Sequence, residues 1–201
     1  MEGRRSRGAD PDTEGREDIV NALRPLPPGI QRALIDEVIR GHVLPLGGIH
    51  GVHHWARVLE NGRRLCEATG ASFEVVTLFA IFHDSRRWND GDDPQHGSRG
   101  AELAASLRGS LFDLGDSDFA SLHYACEHHT AGLTDAELVV QVCWDADRLD
   151  LGRVGITPQP RRLSTESARE PAMIAWADDR ARRDHVAEAV LRSWGLASLT
   201  R

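Results

Sequence analysis

The sequence has 201 residues, of which 40% are hydrophobic, and it carries a formal net charge of -7 at pH 7. This length fits one domain with a single core, and the negative charge argues against a protein that binds duplex nucleic acid, which usually presents a basic surface. No stretch reaches the roughly 18 consecutive apolar residues of a membrane span, and the basic first residues lack the apolar region of a secretory signal, so we expect a cytoplasmic protein without a membrane partner.

The first 16 residues differ in composition from the rest of the chain. Gly, Arg, Asp and Glu dominate this segment, and its apolar residues do not recur at helical spacing. Such segments bury too little apolar surface to fold, so we predict a disordered tail over residues 1–16 and one helical domain over residues 17–201. A first helix is expected to begin after Pro28 and to end at Gly41, and a second to end at Gly70.

The most apolar part of the sequence predicts a third helix. Ser72 is a good N-cap, and the apolar residues that follow it lead directly into His83 and Asp84. Residues 89–97 are rich in Asn, Asp and Gly and therefore predict a turn. A fourth helix should follow over residues 98–107.

The second half of the chain predicts further helices. Ser117 can cap a fifth helix that runs to His129, and residues 134–137 form a capping box that opens a sixth helix carrying Asp147. A charged C-terminal helix is expected over about residues 169–196. Strand signals are short and lie inside helical patterns, so the sequence predicts an all-α fold, a single-domain helical bundle.

Three histidine-bearing stretches and one acidic stretch follow one another in a fixed order. They are residues 50–54, the His83-Asp84 pair, residues 128–129 and residues 145–147. A lone histidine is more often a hydrogen-bonded core or surface residue than a metal ligand. The His83-Asp84 pair, however, ends an apolar run, and polar groups in a core cost several kcal/mol unless they are satisfied. Because neutral imidazole and carboxylate together are a usual ligand set for transition metals, this order predicts a metal centre.

The order of these motifs resembles the HD-domain superfamily of metal-dependent phosphohydrolases, whose pattern is a His, a His-Asp pair and a later Asp on separate helices. The resemblance covers about residues 45–155 and implies a helical bundle of the HD-domain type. It implies that His54 and not His53 is the first ligand, because His54 lies four residues before the apolar Val58. It likewise implies that the last ligand is Asp147, in Ala-Asp-Arg-Leu, and not Asp145.

Additional histidines resemble those with which some members of the superfamily hold a second ion. In that subset Asp84 bridges two ions, and the second ion is held by His96, His128 and His129. The alternative is that His128 or His129 binds substrate phosphate or faces solvent. The implied cofactor is therefore one or two divalent ions, and a His/Asp set accepts Mn, Fe, Co, Ni or Zn.

The activity that the resemblance implies is hydrolysis of a phosphate ester of a small metabolite or nucleotide by metal-activated water. Asp84 and Asp147 are the candidate catalytic groups, because a carboxylate beside the ion can orient the water. Guanidinium groups suit phosphate oxygens; the candidate substrate contacts are Arg86, Arg87, Arg148, Arg153 and His50. Two alternatives remain open, a di-iron oxygenase on the same scaffold and a non-catalytic nucleotide sensor.

Overall fold

A computed structural model describes residues 28–199, with side chains from residue 31. The tail predicted over residues 1–16 lies outside the described residues. Within residues 28–199 the structure is helical, and the prediction of an all-α fold is confirmed. Its helices are α1 (Pro28–Arg40), α2 (Val52–Thr69), α3 (Phe73–Phe82), α4 (His96–Leu107), α5 (Asp116–His128), α6 (Leu138–Arg148), α7 (Glu166–Arg169), α8 (Pro171–Arg182) and α9 (Glu188–Ser193), with short 3-10 turns at Leu151–Val154, Pro160–Arg162 and Ala197–Leu199.

The helix α3 lies at the centre of the bundle, in contact with α2, α4, α5 and α6. It is apolar on all sides apart from Glu74 and Thr77, which is the pattern of a helix surrounded by others. Its predicted cap is confirmed, since the Ser72 hydroxyl accepts a hydrogen bond from the Val75 amide. Because α3 ends at Phe82, the residues that follow it lie in a turn at one end of the bundle. None of the helices within residues 28–199 is long and apolar enough to cross a membrane.

Two glycines allow α4 to lie very close to its neighbours. A Cβ atom added to Gly97 would lie 2.3 Å from the Cys126 carbonyl oxygen, and one added to Gly100 would lie 2.3 Å from the Phe82 carbonyl oxygen. No other residue type fits at such distances. This close approach places the beginning of α4, with His96 as its first residue, against the ends of α3 and α5.

Two predicted caps are wrong. α5 begins at Asp116 with Gly115 at the N-cap, two positions before the predicted Ser117 cap. The capping box predicted over residues 134–137 does not form, because α6 begins only at Leu138 and has no side-chain cap. The Glu137 carboxylate accepts a hydrogen bond from the Ser121 hydroxyl on α5 instead, so a contact between helices replaces a local one.

The single C-terminal helix predicted over residues 169–196 is also wrong, because α8 ends at Arg182, just before Asp184. This residue has a φ of 50°, in the left-handed region that Asp tolerates better than most residues. The His185 amide donates to the Arg180 carbonyl at 2.9 Å, as in a helix C-cap. Two separate helices, α8 and α9, therefore replace the predicted one.

Candidate metal centre

Five helix ends meet at one place and bring six imidazole or carboxylate side chains together. His54 lies in the first turn of α2 and Asp147 in the last turn of α6, whereas the others lie at the first residue of α4 or just beyond the ends of α3 and α5. The six are His54, His83, Asp84, His96, His129 and Asp147. All are buried except Asp147, whose side chain is 16% exposed.

The first group consists of His54, His83, Asp147 and the Oδ2 atom of Asp84. The two imidazoles face each other, with their Nε2 atoms 3.0 Å apart. The Nε2 atom of His54 lies 3.4 Å from Asp147 Oδ1 and 3.5 Å from Asp84 Oδ2. His83 Nε2 lies 3.8 Å from Asp147 Oδ1. Two nitrogens and two carboxylate oxygens thus surround one point.

The second group consists of His96, His129 and the other carboxylate oxygen of Asp84. Asp84 Oδ1 lies 3.1 Å from His96 Nε2 and 3.6 Å from His129 Nε2. The two Nε2 atoms are 2.9 Å apart. The ligand atoms of these three residues all lie within 4.8 Å of one another. The Asp84 carboxylate therefore stands between the two groups and presents one oxygen to each.

The outer ring nitrogen of each of the four histidines contacts an oxygen that can only accept a hydrogen bond. Each Nδ1 atom must then carry the hydrogen, and in a neutral imidazole the lone pair is on Nε2, directed into the centre. The acceptors are the Asp150 carboxylate for His54, at 2.7 Å, and the backbone carbonyls of Phe79, Asp93 and Cys126 for His83, His96 and His129.

The donor set fits a divalent ion in each group. Two Nε2 lone pairs that face each other at 3.0 Å or 2.9 Å repel unless a cation or a proton lies between them. The Asp84 Oδ1 atom is buried and accepts no hydrogen bond within the described part of the chain, an arrangement that is costly for a carboxylate. Buried His and Asp groups of this kind could bind a metal, because an ion would satisfy both the nitrogens and the oxygen.

The two imidazoles of the first group differ in pKa. Burial and the charge of Arg153 lower the pKa of His54, but hydrogen bonds to Asp147, Asp150 and Asp84 outweigh them and raise it to about 9. Burial instead lowers the pKa of His83 to about 3. The metal-free group therefore holds one proton on His54, in the position that a cation would take.

Both carboxylates of the first group stay ionised. Burial favours the neutral acid, but the neighbouring imidazoles, with His83 the largest opposing influence on Asp84 and His54 on Asp147, hold the pKa of both carboxyls below the usual value. Ionised carboxylates are the form that binds a metal.

His50 and Asp150 contact the ligand residues from outside the two groups. The Nδ1 atom of His50, a candidate substrate contact, lies 2.7 Å from Asp84 Oδ2. The motifs in the sequence did not indicate Asp150, which accepts hydrogen bonds from His54 and from Arg57. Its spacing could have indicated this role, because a residue three positions after Asp147 lies on the same helical face.

The four candidate arginines differ in position. The Arg87 guanidinium lies in the second group, with Nη1 3.1 Å from His96 Nε2 and 3.5 Å from Asp84 Oδ1. Arg153 reaches the first group, with Nη1 3.9 Å from Asp147 Oδ1. Arg86 instead donates to the Val38 carbonyl at 2.8 Å, and Arg148 donates to two backbone carbonyls outside both groups.

Adjacent residues divide between the centre and other roles. Because neighbours in a helix point about 100° apart, one residue of the His53-His54 pair and one of the His128-His129 pair face away from the centre. His128 lies outside, 36% exposed, with its ring centroid 4.4 Å from that of Tyr124. The His53 ring contacts Asp184, and the Asp145 carboxylate accepts from the Ser164 and Thr165 amides, which anchors the loop before α7.

A pocket of about 220 Å³ opens beside His129. Arg148 and Thr130 supply polar groups to it, and Ile156 and Leu163 supply apolar surface. His129 of the second group lines this pocket, which has room for a small organic molecule.

One solved structure supports the resemblance to a known family. A predicted HD superfamily hydrolase from an uncultured Thermotogales bacterium is 25% identical to this chain, with a TM-score of 0.56; the match covers 83% of this chain and 92% of that one. No protein-family model matches the sequence, and no curated protein matches it. The chain has an all-α fold of the HD-domain type, and the resemblance to the HD-domain superfamily predicted from its sequence is confirmed.

Proposed function

We propose that this protein is a metal-dependent phosphohydrolase that cleaves a phosphate ester of a small metabolite or nucleotide. The observation that carries the proposal is the Asp84 carboxylate between two pairs of facing Nε2 atoms. The fold supports it, because the similar solved structure is a predicted HD superfamily hydrolase. His54, His83, Asp84 and Asp147 would hold one divalent ion, and Asp84, His96 and His129 a second.

Metal ions bound in such groups polarise phosphoryl oxygens and lower the pKa of water to about 7. The side chains of this protein supply the rest of the chemistry. Asp147 is the most exposed of the candidate ligands, so its carboxylate reaches the open side of the site. Because its pKa is lowered, it is ionised at neutral pH and can orient an attacking water by accepting a hydrogen bond from it. Asp84 is held in position by His50.

The positive charge that a phosphate ester needs is available around the site. Arg153 approaches the first group, and its Nε atom is fixed by the Ile49 carbonyl at 2.9 Å. Arg87 approaches the second group. The pocket beside His129 offers room for the organic part of a small substrate, with Arg148 in its wall. A guanidinium on each side would stabilise negative charge on the phosphoryl oxygens.

The test is a phosphate-release screen across nucleotides and sugar phosphates, with the metal that analysis of the purified protein identifies. We expect EDTA to abolish phosphate release, and we expect His83→Ala and Asp84→Ala to remove it after metal is restored. Full activity in either variant, in folded protein, would contradict the proposal.

The same preparation separates the alternative functions. Iron in the purified protein together with substrate-dependent oxygen uptake, and no phosphate release, would favour a di-iron oxygenase, because a His/Asp set also suits iron. Tight nucleotide binding without turnover after metal is restored would favour a sensor.

A further inference from the structure

Side chains outside the two metal-binding groups form a continuous line of hydrogen bonds that ends on His54. The line starts at Asp184, in the turn after α8, and passes through Arg57 on α2 to Asp150, just beyond α6. These elements are far apart in the sequence.

Asp150 stands at the inner end of this line. Its Oδ2 atom lies 2.7 Å from His54 Nδ1, and its two oxygens accept from Arg57 Nε at 2.7 Å and Nη2 at 3.1 Å. The Asp150 side chain is fully buried. An ionised carboxylate in such a place is stable only when it is paired and hydrogen-bonded, and the paired guanidinium provides both.

Asp184 stands at the outer end. Its Oδ1 atom accepts from Arg57 Nη1 at 2.6 Å, and its Oδ2 atom lies 2.9 Å from His53 Nδ1. The other nitrogen of His53 lies 2.9 Å from the Leu199 carbonyl. Arg57 is therefore held between two carboxylates, and its guanidinium has one orientation.

The backbone conformation at Asp184 is a second feature of the outer end of this line. A residue with a φ of 50° just after a helix is usually Gly or Asn. Asp occupies the position here, and its carboxylate reaches Arg57. The turn after α8 thus combines a helix end with a charged contact to α2.

We propose that Asp150 is the positioning residue of His54, and that Arg57 and Asp184 hold Asp150 in place. A charged acceptor on Nδ1 fixes the tautomer with the Nε2 lone pair inward and makes the imidazole a stronger ligand. The acceptors at Nδ1 of the other three histidines are backbone carbonyls and not carboxylates, so His54 is the ligand that depends on this line. The inference rests on the proposed metal site but not on phosphate chemistry.

The test is Mn²⁺ titrated calorimetrically into chelator-treated full-length protein. In Asp150→Asn an amide replaces the carboxylate at nearly the same volume, and we expect the Kd for Mn²⁺ to rise by about 10- to 100-fold, as for other partners of metal-bound histidines. Asp184→Asn keeps a residue that tolerates positive φ and should weaken binding less. An unchanged Kd in Asp150→Asn would overturn the inference.

Asp145→Asn is the matched control. Asp145 is as fully buried as Asp150 and lies near it in the sequence, but it bonds to a loop and not to an imidazole. We expect this variant to lose stability and to keep its Kd for Mn²⁺. An equal loss of affinity in Asp145→Asn would mean that both carboxylates act only through the fold, and would overturn the positioning role.

A measurement on the wild-type protein keeps the test independent of how the variants fold. In protein loaded with Zn²⁺, the ring of His54 should carry a slowly exchanging proton on Nδ1 in nitrogen-15 NMR spectra. A proton on Nε2 would overturn the inference. Wild-type protein that binds neither Mn²⁺ nor Zn²⁺ overturns the proposed function as well, whereas wild-type binding with an unaffected Asp150→Asn variant overturns this inference alone.

Discussion

The two groups share the Asp84 carboxylate but offer an ion different surroundings. The first group contributes a second carboxylate, Asp147, whose Oδ1 atom lies 3.4 Å from His54 Nε2. The second group, as the described residues form it, consists of Asp84, His96 and His129 without a second carboxylate, and the guanidinium of Arg87 lies 3.5 Å from Asp84 Oδ1. Because opposite charge attracts a divalent ion and like charge repels it, the first group should fill first.

The hydrogen-bond partners at the outer ring nitrogens of the histidines also favour tighter binding in the first group. His54 is backed by the carboxylate of Asp150, whereas His96 and His129 are backed by carbonyl oxygens. Hydrogen bonds to an ionised acceptor are roughly twice as strong as neutral ones. We therefore expect one tightly held ion in the first group and one in the second group that exchanges more readily.

The largest expected effect comes from removing one histidine from each group. His83→Ala should abolish ion binding in the first group and lower kcat/KM by more than the roughly 100-fold that loss of an outer partner causes. His129→Ala should keep the first ion and lose only the second, because His129 Nε2 lies 3.6 Å from Asp84 Oδ1, the oxygen that faces the second group. Metal analysis and phosphate release measure both quantities.

The two variants control each other, because each removes one buried imidazole of the same size. If His129→Ala loses the tightly bound ion as completely as His83→Ala does, then the two groups are one cooperative site and the ranking is wrong.

The parts of this arrangement that were predictable depend on local pattern. The His83-Asp84 pair ends an apolar run. Such a buried ionisable pair needs a cation or hydrogen bonds to satisfy it, whatever the fold. Helical spacing on either side of it predicts an all-α chain. These features could be predicted from the sequence because each signal lies within one helix or at its end.

Other parts depend on contacts between distant segments. Arg87 reaches the second group because the carbonyls of Asn89 and Gly91 hold its guanidinium. The spacing of residues in the sequence does not predict the conformation of that loop. The choice between His128 and His129 depends on the rotation of α5 about its axis. The break at Asp184 lacks the Gly or Pro that usually marks a helix end.

Arg87→Gln tests the electrostatic half of the comparison. A unit charge about 4 Å away opposes a second cation by up to about 4 kcal/mol per unit charge at an effective dielectric constant of 20. We therefore expect the variant to bind the second ion at least about tenfold more tightly, with the first Kd changed less. Calorimetric titration with Mn²⁺ resolves the two steps.

Arg86→Gln is the matched control for this variant, because Arg86 is the neighbouring arginine but donates to the Val38 carbonyl. It should leave both binding steps unchanged. A second ion that binds no better in Arg87→Gln than in Arg86→Gln would show that the guanidinium does not compete with it.

A smaller effect is expected from pH in the metal-free protein. The pKa of His54 is raised from 6.5 to about 9 in the folded state, so its proton stabilises the folded chain. This contribution is fully present below about pH 6.5 and is lost as the pH rises through about 9. Urea unfolding of EDTA-treated protein should show the free energy of unfolding falling across this range.

Metal should remove this dependence, because an ion replaces the proton on His54 Nε2. The His54→Gln variant should lack the same fall in the free energy of unfolding. A metal-free wild-type protein whose stability stays constant from pH 6.5 to 9 would contradict the assignment of the proton to His54.

The smallest effect is expected at His128, which separates ligand from neighbour within one helix end. Its ring packs on Tyr124 and is 36% exposed, so His128→Ala should change the free energy of unfolding by no more than about 0.5 kcal/mol. The Kd values for both ions should equal those of the wild type. KM for the substrate found in the phosphate-release screen should also stay unchanged, because the imidazole faces away from Asp84. A raised KM with unchanged metal binding would instead place His128 at the substrate phosphate. Loss of the second ion would mean that α5 rotates when metal is bound, so that His128 faces the centre.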